Sequence, residues 1–191
     1  MMRAAITLAS LLVFLASEPA RAQIPPMLRS GTHPMWASMS MGPAINVKDS
    51  ATQFKLIQTF GYHFQGNAAG PALAFDLQEA FGNGFTTIEL GPKFVWDFPI
   101  VQSLGLYLSP SAMLGYAWAG TGGSCYTYYG QEFCTGGGGG SAFDMQFGFE
   151  GKLIIGDRGL VFFRPFTLDV GIFDGVTMIR YDLMFGGGVT F

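Results

Sequence analysis

The side chains best able to do chemistry are charged, and they recur every second residue within apolar segments. Lys55, Lys93, Lys152, Arg164 and Arg180 stand against Asp76, Glu89, Asp97, Asp144, Glu150, Asp169 and Asp182. Spacing of two puts each set on one face of an extended chain. On a solvated face such charges cost nothing. Enclosed in a narrow interior they must pair, because an uncompensated charge away from water is strongly destabilising. Few other residues invite a chemical role. The two histidines are His33 and His63, and the latter lies between Tyr62 and Phe64 with no serine beside it. Cys125 and Cys134 share one polar segment, where an oxidising compartment favours a disulfide. Two thiols without a nearby histidine are a poor metal set. The run Gly136 to Gly140 is followed by no Lys-Ser or Lys-Thr pair, so it is a spacer and not a phosphate loop. Neither catalytic residue, metal nor cofactor is expected.

The elements that hold these charges follow from composition and period. Charged residues make up 12% of the 191, against about 25% in ordinary soluble proteins, while aromatics reach 15% with 28 glycines. Residues 1–22 have the layout of a signal peptide: Arg3, an apolar run from Ala4 to Ala16, and Ala20-Arg21-Ala22 before Gln23. No apolar stretch of about 18 residues follows, so no spanning helix is expected. Setting aside Arg3, Arg21 and Glu18 leaves eight basic and twelve acidic side chains. A chain of that balance lacks the basic footprint that nucleic acid requires.

After a leader over residues 23–34, alternation predicts eight strands, and residues 35–191 are read as a single domain. The strands are expected at about Met35 to Val47, Phe54 to Phe64, Pro71 to Phe81, Phe85 to Phe98, Leu104 to Trp118, Phe143 to Ile155, Leu160 to Phe173 and Thr177 to Phe191. Gly82-Asn83-Gly84 predicts a tight hairpin. The seventh strand keeps phase only if a bulge falls near Arg164-Pro165.

Each strand is bulky on one face and small or charged on the other. A soluble sandwich or barrel would put the bulky face inward. Its outer face would then be mostly Gly, Ala, Ser and Thr, which keep a long sheet poorly soluble. Small residues suit the interior of an eight-stranded membrane barrel, whose bulky face meets lipid. The expected fold is therefore all-β, an antiparallel up-and-down transmembrane barrel. Loop lengths agree: with the N-terminus in the periplasm, Gln65 to Gly70, Pro99 to Ser103 and Gly156 to Gly159 are short periplasmic turns, and the long segment Gly120 to Ser141 is extracellular. Tyr62, Phe64, Phe81, Phe98, Tyr116, Trp118 and Phe173 near strand ends would form aromatic girdles.

At Tyr181, Leu183, Phe185, Val189 and the terminal Phe191, the chain resembles the C-terminal signature of outer-membrane barrels, with Gly187 where a bulkier residue is usual. In size and strand count it resembles the small OmpA/OmpX-type barrels. That resemblance implies a monomer in the outer membrane of a Gram-negative bacterium, both termini in the periplasm, with outer-membrane lipids and the barrel-assembly machinery as partners. Some small barrels of this kind modify lipid A, but that chemistry needs a histidine with Ser or Asp near the lipid face. The expected role is structural or surface interaction, with salt bridges plugging the lumen and a small passive channel as the alternative. Tyr126, Tyr128, Tyr129 and Phe133 make the Gly120 to Ser141 loop the candidate contact for a surface ligand.

Overall fold

The structure, a computed structural model, describes residues 33–48, 52–82, 85–121, 126–128, 131–133, 140–156, 158–173 and 176–191. The expected signal peptide, nearly all of the leader, and both cysteines lie outside these residues.

The described residues form ten strands: β1 (Met35–Asn46), β2 (Thr52–His63), β3 (Gly70–Gly82), β4 (Phe85–Val101), β5 (Leu106–Thr121), β6 (Tyr126–Tyr128), β7 (Gln131–Phe133), β8 (Gly140–Ile155), β9 (Gly159–Phe173) and β10 (Val176–Thr190). Eight of them close a barrel in the order β1-β10-β9-β8-β5-β4-β3-β2, every neighbour antiparallel. The short pair β6 and β7 is a separate hairpin inside the segment read from sequence as a plain loop. A closed sheet leaves no unpaired edge. The closing seam joins β1 to β10 from Trp36↔Thr190 to Asn46↔Arg180. Beyond it, Met35 N–H donates to the Phe191 carbonyl at 3.1 Å and Phe191 N–H donates to Met35 at 2.9 Å.

Alternation sets which way each side chain points. On β4, Ile88, Phe94, Trp96 and Phe98 are exposed on the outer wall, while Thr87, Glu89, Lys93, Val95 and Asp97 are buried inside. The expected bulge is present on β9. Thr167 and Arg164 pair with Asp182 and Met184 of β10, so β9 spends one residue more than its partner there. The same extra residue appears against β8, between Phe149 and Gly151. Phe163 and Phe166 consequently both face outward while Arg164 and Thr167 face in. One expected boundary moves: Gln102–Leu104 form a 3₁₀ turn ended by Gly105 at φ 67°, and β5 begins at Leu106. A left-handed residue cannot continue a strand, which is why Leu104 is not part of it.

The interior has two parts. At the end that carries the barrel's termini, Met35 and Phe191, the residues Trp36, Ala72, Val95, Tyr107, Ile154, Leu160 and Phe162 form an apolar cluster inside the barrel, capped by Ala68 from the β2 to β3 connection. Toward the other end the interior becomes polar. Filling so narrow a space with an indole ring needs a vacancy across the strand pair. Gly61, opposite Trp36 in register, provides it: a Cβ there would lie 2.2 Å from the ring. Gly61→Ala is therefore expected to lower barrel stability by about 1–3 kcal/mol through overpacking. Urea unfolding of the detergent-refolded protein measures this, and a wild-type midpoint would show that the ring has room to move.

Candidate lumenal charge network

All twelve charged residues singled out by spacing point into the barrel, and each is buried. Lys55 of β2 lies at the centre of the half remote from the termini. Its ammonium has three protons, and three carboxylates surround it: Glu89 at 2.9 Å, Asp169 at 3.0 Å and Asp182 at 2.8 Å. These come from β4, β9 and β10, so one side chain joins four strands across the lumen. The Arg180 guanidinium of β10 bridges Glu89 and Asp169 as well, and its Nη1 reaches Gln53 at 3.4 Å and Thr87 at 3.5 Å. Gln78 and Gln146 exchange amide hydrogen bonds at 3.0 Å. The Gln146 amide nitrogen also lies 2.9 Å from Asp144 and 3.1 Å from Glu89.

The half nearer the termini is built from separate pairs. Lys93 donates to Asp76 at 2.7 Å, and Thr59 donates to the other oxygen of the same carboxylate at 2.7 Å. Arg164 gives Glu150 two N–H bonds, at 3.1 Å and 2.9 Å. Lys152 reaches Glu150 at 3.5 Å and Asp97 at 2.8 Å. The space among Lys93, Glu150, Lys152 and Arg164 has no room for a water molecule. His63 completes the chain of contacts: its Nε2 lies 2.6 Å from Asp97 and its Nδ1 lies 3.2 Å from the Pro34 carbonyl. Trp36 stacks obliquely on His63 at 4.5 Å, and the Lys152 ammonium sits 5.2 Å from the same indole ring, within range of a cation–π attraction.

Sequence spacing brought out the charges and put Thr59, Gln78, Thr87 and Gln146 on the same face without marking them as partners. Gln53, Gln78, Gln146, Thr59 and Thr87 share the inward register and were legible from parity alone, yet an amide or hydroxyl carries no charge to draw notice. Alternation also put Trp36 and Tyr107 on the small-residue face, as found, while Phe162, a large residue of a kind expected on the lipid face, was not singled out. His63 is turned into the lumen, with no serine among its hydrogen-bond partners. Of the C-terminal signature, Phe185, Val189 and Phe191 are exposed on the outer wall. Tyr181 and Leu183 are half-buried, and the Tyr181 hydroxyl donates to the Pro165 carbonyl at the bulge. Gln58 on β2 and Glu79 on β3 are among the polar residues that interrupt the apolar exterior.

No protein-family model matches the chain, and no curated protein matches it either. Several solved structures are similar. Neisserial surface protein A superposes with a TM-score of 0.57 at 15% identity, covering 85% of this chain and 99% of that one. The N-terminal β-barrel domain of Pseudomonas aeruginosa OprF gives 0.51 at 13% identity, with 85% and 100% covered. Ail, the attachment invasion locus protein of Yersinia pestis, gives 0.50 at 12% identity, with 83% and 99% covered. What this chain has in common with them is the fold, the small eight-stranded barrel of outer-membrane proteins.

Truncating one member of a buried ion network leaves its partners charged and unpaired. Arg180→Met is expected to destabilise the barrel by about 3–5 kcal/mol, because Glu89 and Asp169 then share Lys55 alone. Denaturant unfolding in detergent reads this directly; an unchanged midpoint would mean that the network adds nothing to stability.

Proposed function

We propose that this chain is an integral barrel of the outer membrane that acts without catalysis, as a structural or surface-interaction protein with a plugged lumen. The observation that carries the reading is the inversion of the usual protein plan. Phe54, Phe60, Phe75, Phe94, Trp96, Phe147, Phe163 and Phe185 are exposed on the outer wall, while Lys55, Asp76, Asp169, Arg180 and Asp182 are buried inside. Such a wall is stable only where hydrocarbon surrounds it, and there a closed sheet is required so that every backbone polar group is paired. Strands of 12 to 17 residues exceed the roughly 9–11 needed to cross when tilted. The residues left over would carry the barrel past both interfaces.

In this reading residues 1–22 are removed as a signal peptide and residues 23–34 form a periplasmic leader. The short connections at the terminal end face the periplasm, and the segment with β6 and β7 faces outward, its Cys125 and Cys134 paired. The strand ending in Phe191 serves as the signal for the assembly machinery, and lipids of the outer membrane surround a monomer. A lipid-modifying enzyme fits less well, since His63 faces the lumen between Asp97 and the Pro34 carbonyl. A passive channel fits less well too, since ion pairs and an apolar cluster occupy the interior.

Expressed in a Gram-negative host, the protein is expected in the outer-membrane fraction with heat-modifiable gel migration, and in planar bilayers it is expected to show no large single-channel conductance. A soluble periplasmic product would overturn the membrane reading. Large conductance steps would replace the plug by a channel. Replacing residues 122–139 by a short Asn-Gly turn is expected to leave barrel folding intact and to abolish any adhesion that cells expressing the protein acquire. Adhesion that survives the replacement would move the contact surface elsewhere.

A further inference from the structure

His63 is the last residue of β2, buried at the end of the lumen that carries Met35 and Phe191, and both nitrogens of its ring face acceptors. Nε2 lies 2.6 Å from a carboxylate oxygen of Asp97, and Nδ1 lies 3.2 Å from the Pro34 carbonyl oxygen. A neutral imidazole has one N–H and one lone pair, whereas the imidazolium has two N–H groups. Only the charged ring can donate in both directions. The neutral ring must turn its lone pair toward one of the two oxygens. The carbonyl is the less costly choice, because a hydrogen bond to a carboxylate is the stronger one to keep.

The loss therefore falls on Pro34. Its carbonyl also accepts the His63 backbone N–H at 2.7 Å, so the charged ring holds it by two bonds and the neutral ring leaves it one. Pro34 immediately precedes the rung at which the barrel closes. There Met35 donates to the Phe191 carbonyl at 3.1 Å and accepts from the Phe191 N–H at 2.9 Å. A tie on Pro34 is thus a tie on the end of the seam.

We propose that His63 is a pH-sensitive latch on the closing seam: protonated, its ring ties Pro34 to Asp97 at the mouth of the barrel, and neutral, it keeps Asp97 and loosens Pro34. Histidine is the side chain whose charge ordinarily changes between about pH 5 and 8. Pro34 is only half-buried, so protons reach the ring from the rim. In direct contact with the ring are Asp97 of β4 and the indole of Trp36, 4.5 Å away on β1. Lys152 of β8 donates to the same carboxylate at 2.8 Å and also reaches Glu150. The other titratable groups described at this end are Tyr107 of β5, Arg158 of the β8 to β9 turn, His33 and the carboxylate of Phe191. From β3 the ring meets Ala72 in register, which carries no charge. Deeper in, Lys93 is held by Asp76, and Arg164 of β9 by Glu150. Carboxylates, lysine, arginine and tyrosine ordinarily keep one form across that pH range, which leaves the two histidines to change. The second bond of His63 is present in acid and lost as pH rises.

The test is to refold the chain from Gln23 onward into detergent micelles and to follow amide exchange and histidine ring nitrogens by NMR at about pH 5 and about pH 8. Exchange is expressed as protection relative to the unfolded chain at the same pH. The expected result is protection of the Met35 and Phe191 amides about two- to tenfold higher in acid, the effect of one net hydrogen bond, with the His63 ring nitrogens changing over the same range. His63→Gln should lose this response, and His33→Gln should keep it. Equal protection at the two pH values in the wild type would overturn the latch. So would a response that survives His63→Gln, or one that disappears in His33→Gln. If His63→Gln does not fold, as judged by heat-modifiable migration, the wild type decides alone: ring nitrogens and amide protection must share one midpoint, and separate midpoints reject the proposal.

Discussion

Closing a ring of only eight strands leaves an interior just wide enough for side chains, and every other feature of this molecule answers to that dimension. Nothing placed inside can be diluted by bulk water, so each inward charge needs a partner from another strand. Lys55 shows the result: a single ammonium from β2 is held by carboxylates of β4, β9 and β10. The same confinement explains the glycine at position 61, which leaves room for the indole of Trp36. Outside, the constraint is reversed. In the membrane reading proposed above, hydrocarbon offers no hydrogen bonds, which accounts for an apolar wall and a backbone satisfied through closure.

The two halves of the lumen meet this confinement by different means. Near the termini, Tyr107, Ile154, Leu160 and Phe162 fill space, and the polar chain from Arg164 through Glu150, Lys152 and Asp97 to His63 is set beside them. An aromatic and aliphatic filling is held by packing and has little freedom to rearrange. In the remote half the buried apolar side chains, Ile57, Met113 and Met178 among them, stand beside a shared charge network, with carboxylates divided between cations instead of matched one to one. A shared network holds many strands together at once, yet its strength depends on the total charge it contains. The two ends of one cavity thus differ in how charge is arranged, in separate pairs at one and in a shared network at the other.

Much of this was legible in the sequence because a strand's period of two is unambiguous once one face is uniformly bulky. The order β1 to β5 and β8 to β10, the inward charges, and the bulge near Pro165 all follow from parity along the chain. What parity does not supply is depth and partnership. Asp169 and Glu89 look alike in sequence, and only the tilt and stagger of the closed sheet bring both to Lys55. Parity put Trp36 on the inward, small-residue face, whereas Phe162 and Ile154 went unread for another reason. Residue type argued for the lipid face while register argued for the lumen, and register prevailed because a one-residue slip would turn the whole strand over. Gly105 is a smaller case, where a left-handed residue cut short a strand that the alternation of leucines had extended backward.

The seam between β1 and β10 has a consequence for the order of events in folding. It joins the two barrel strands farthest apart along the chain, so the last contacts to form have the greatest sequence separation, and folding dominated by such contacts is slow. Until they form, β1 and β10 are two open edges. The β10 edge is weakly specified over Gly186 to Gly188, where there is no side chain to steer register. A half-made barrel would present an unprotected strand to any neighbour for as long as closure is delayed. The lifetime of that open form, more than the stability of the finished cylinder, sets how long that edge is at risk of pairing with the wrong strand.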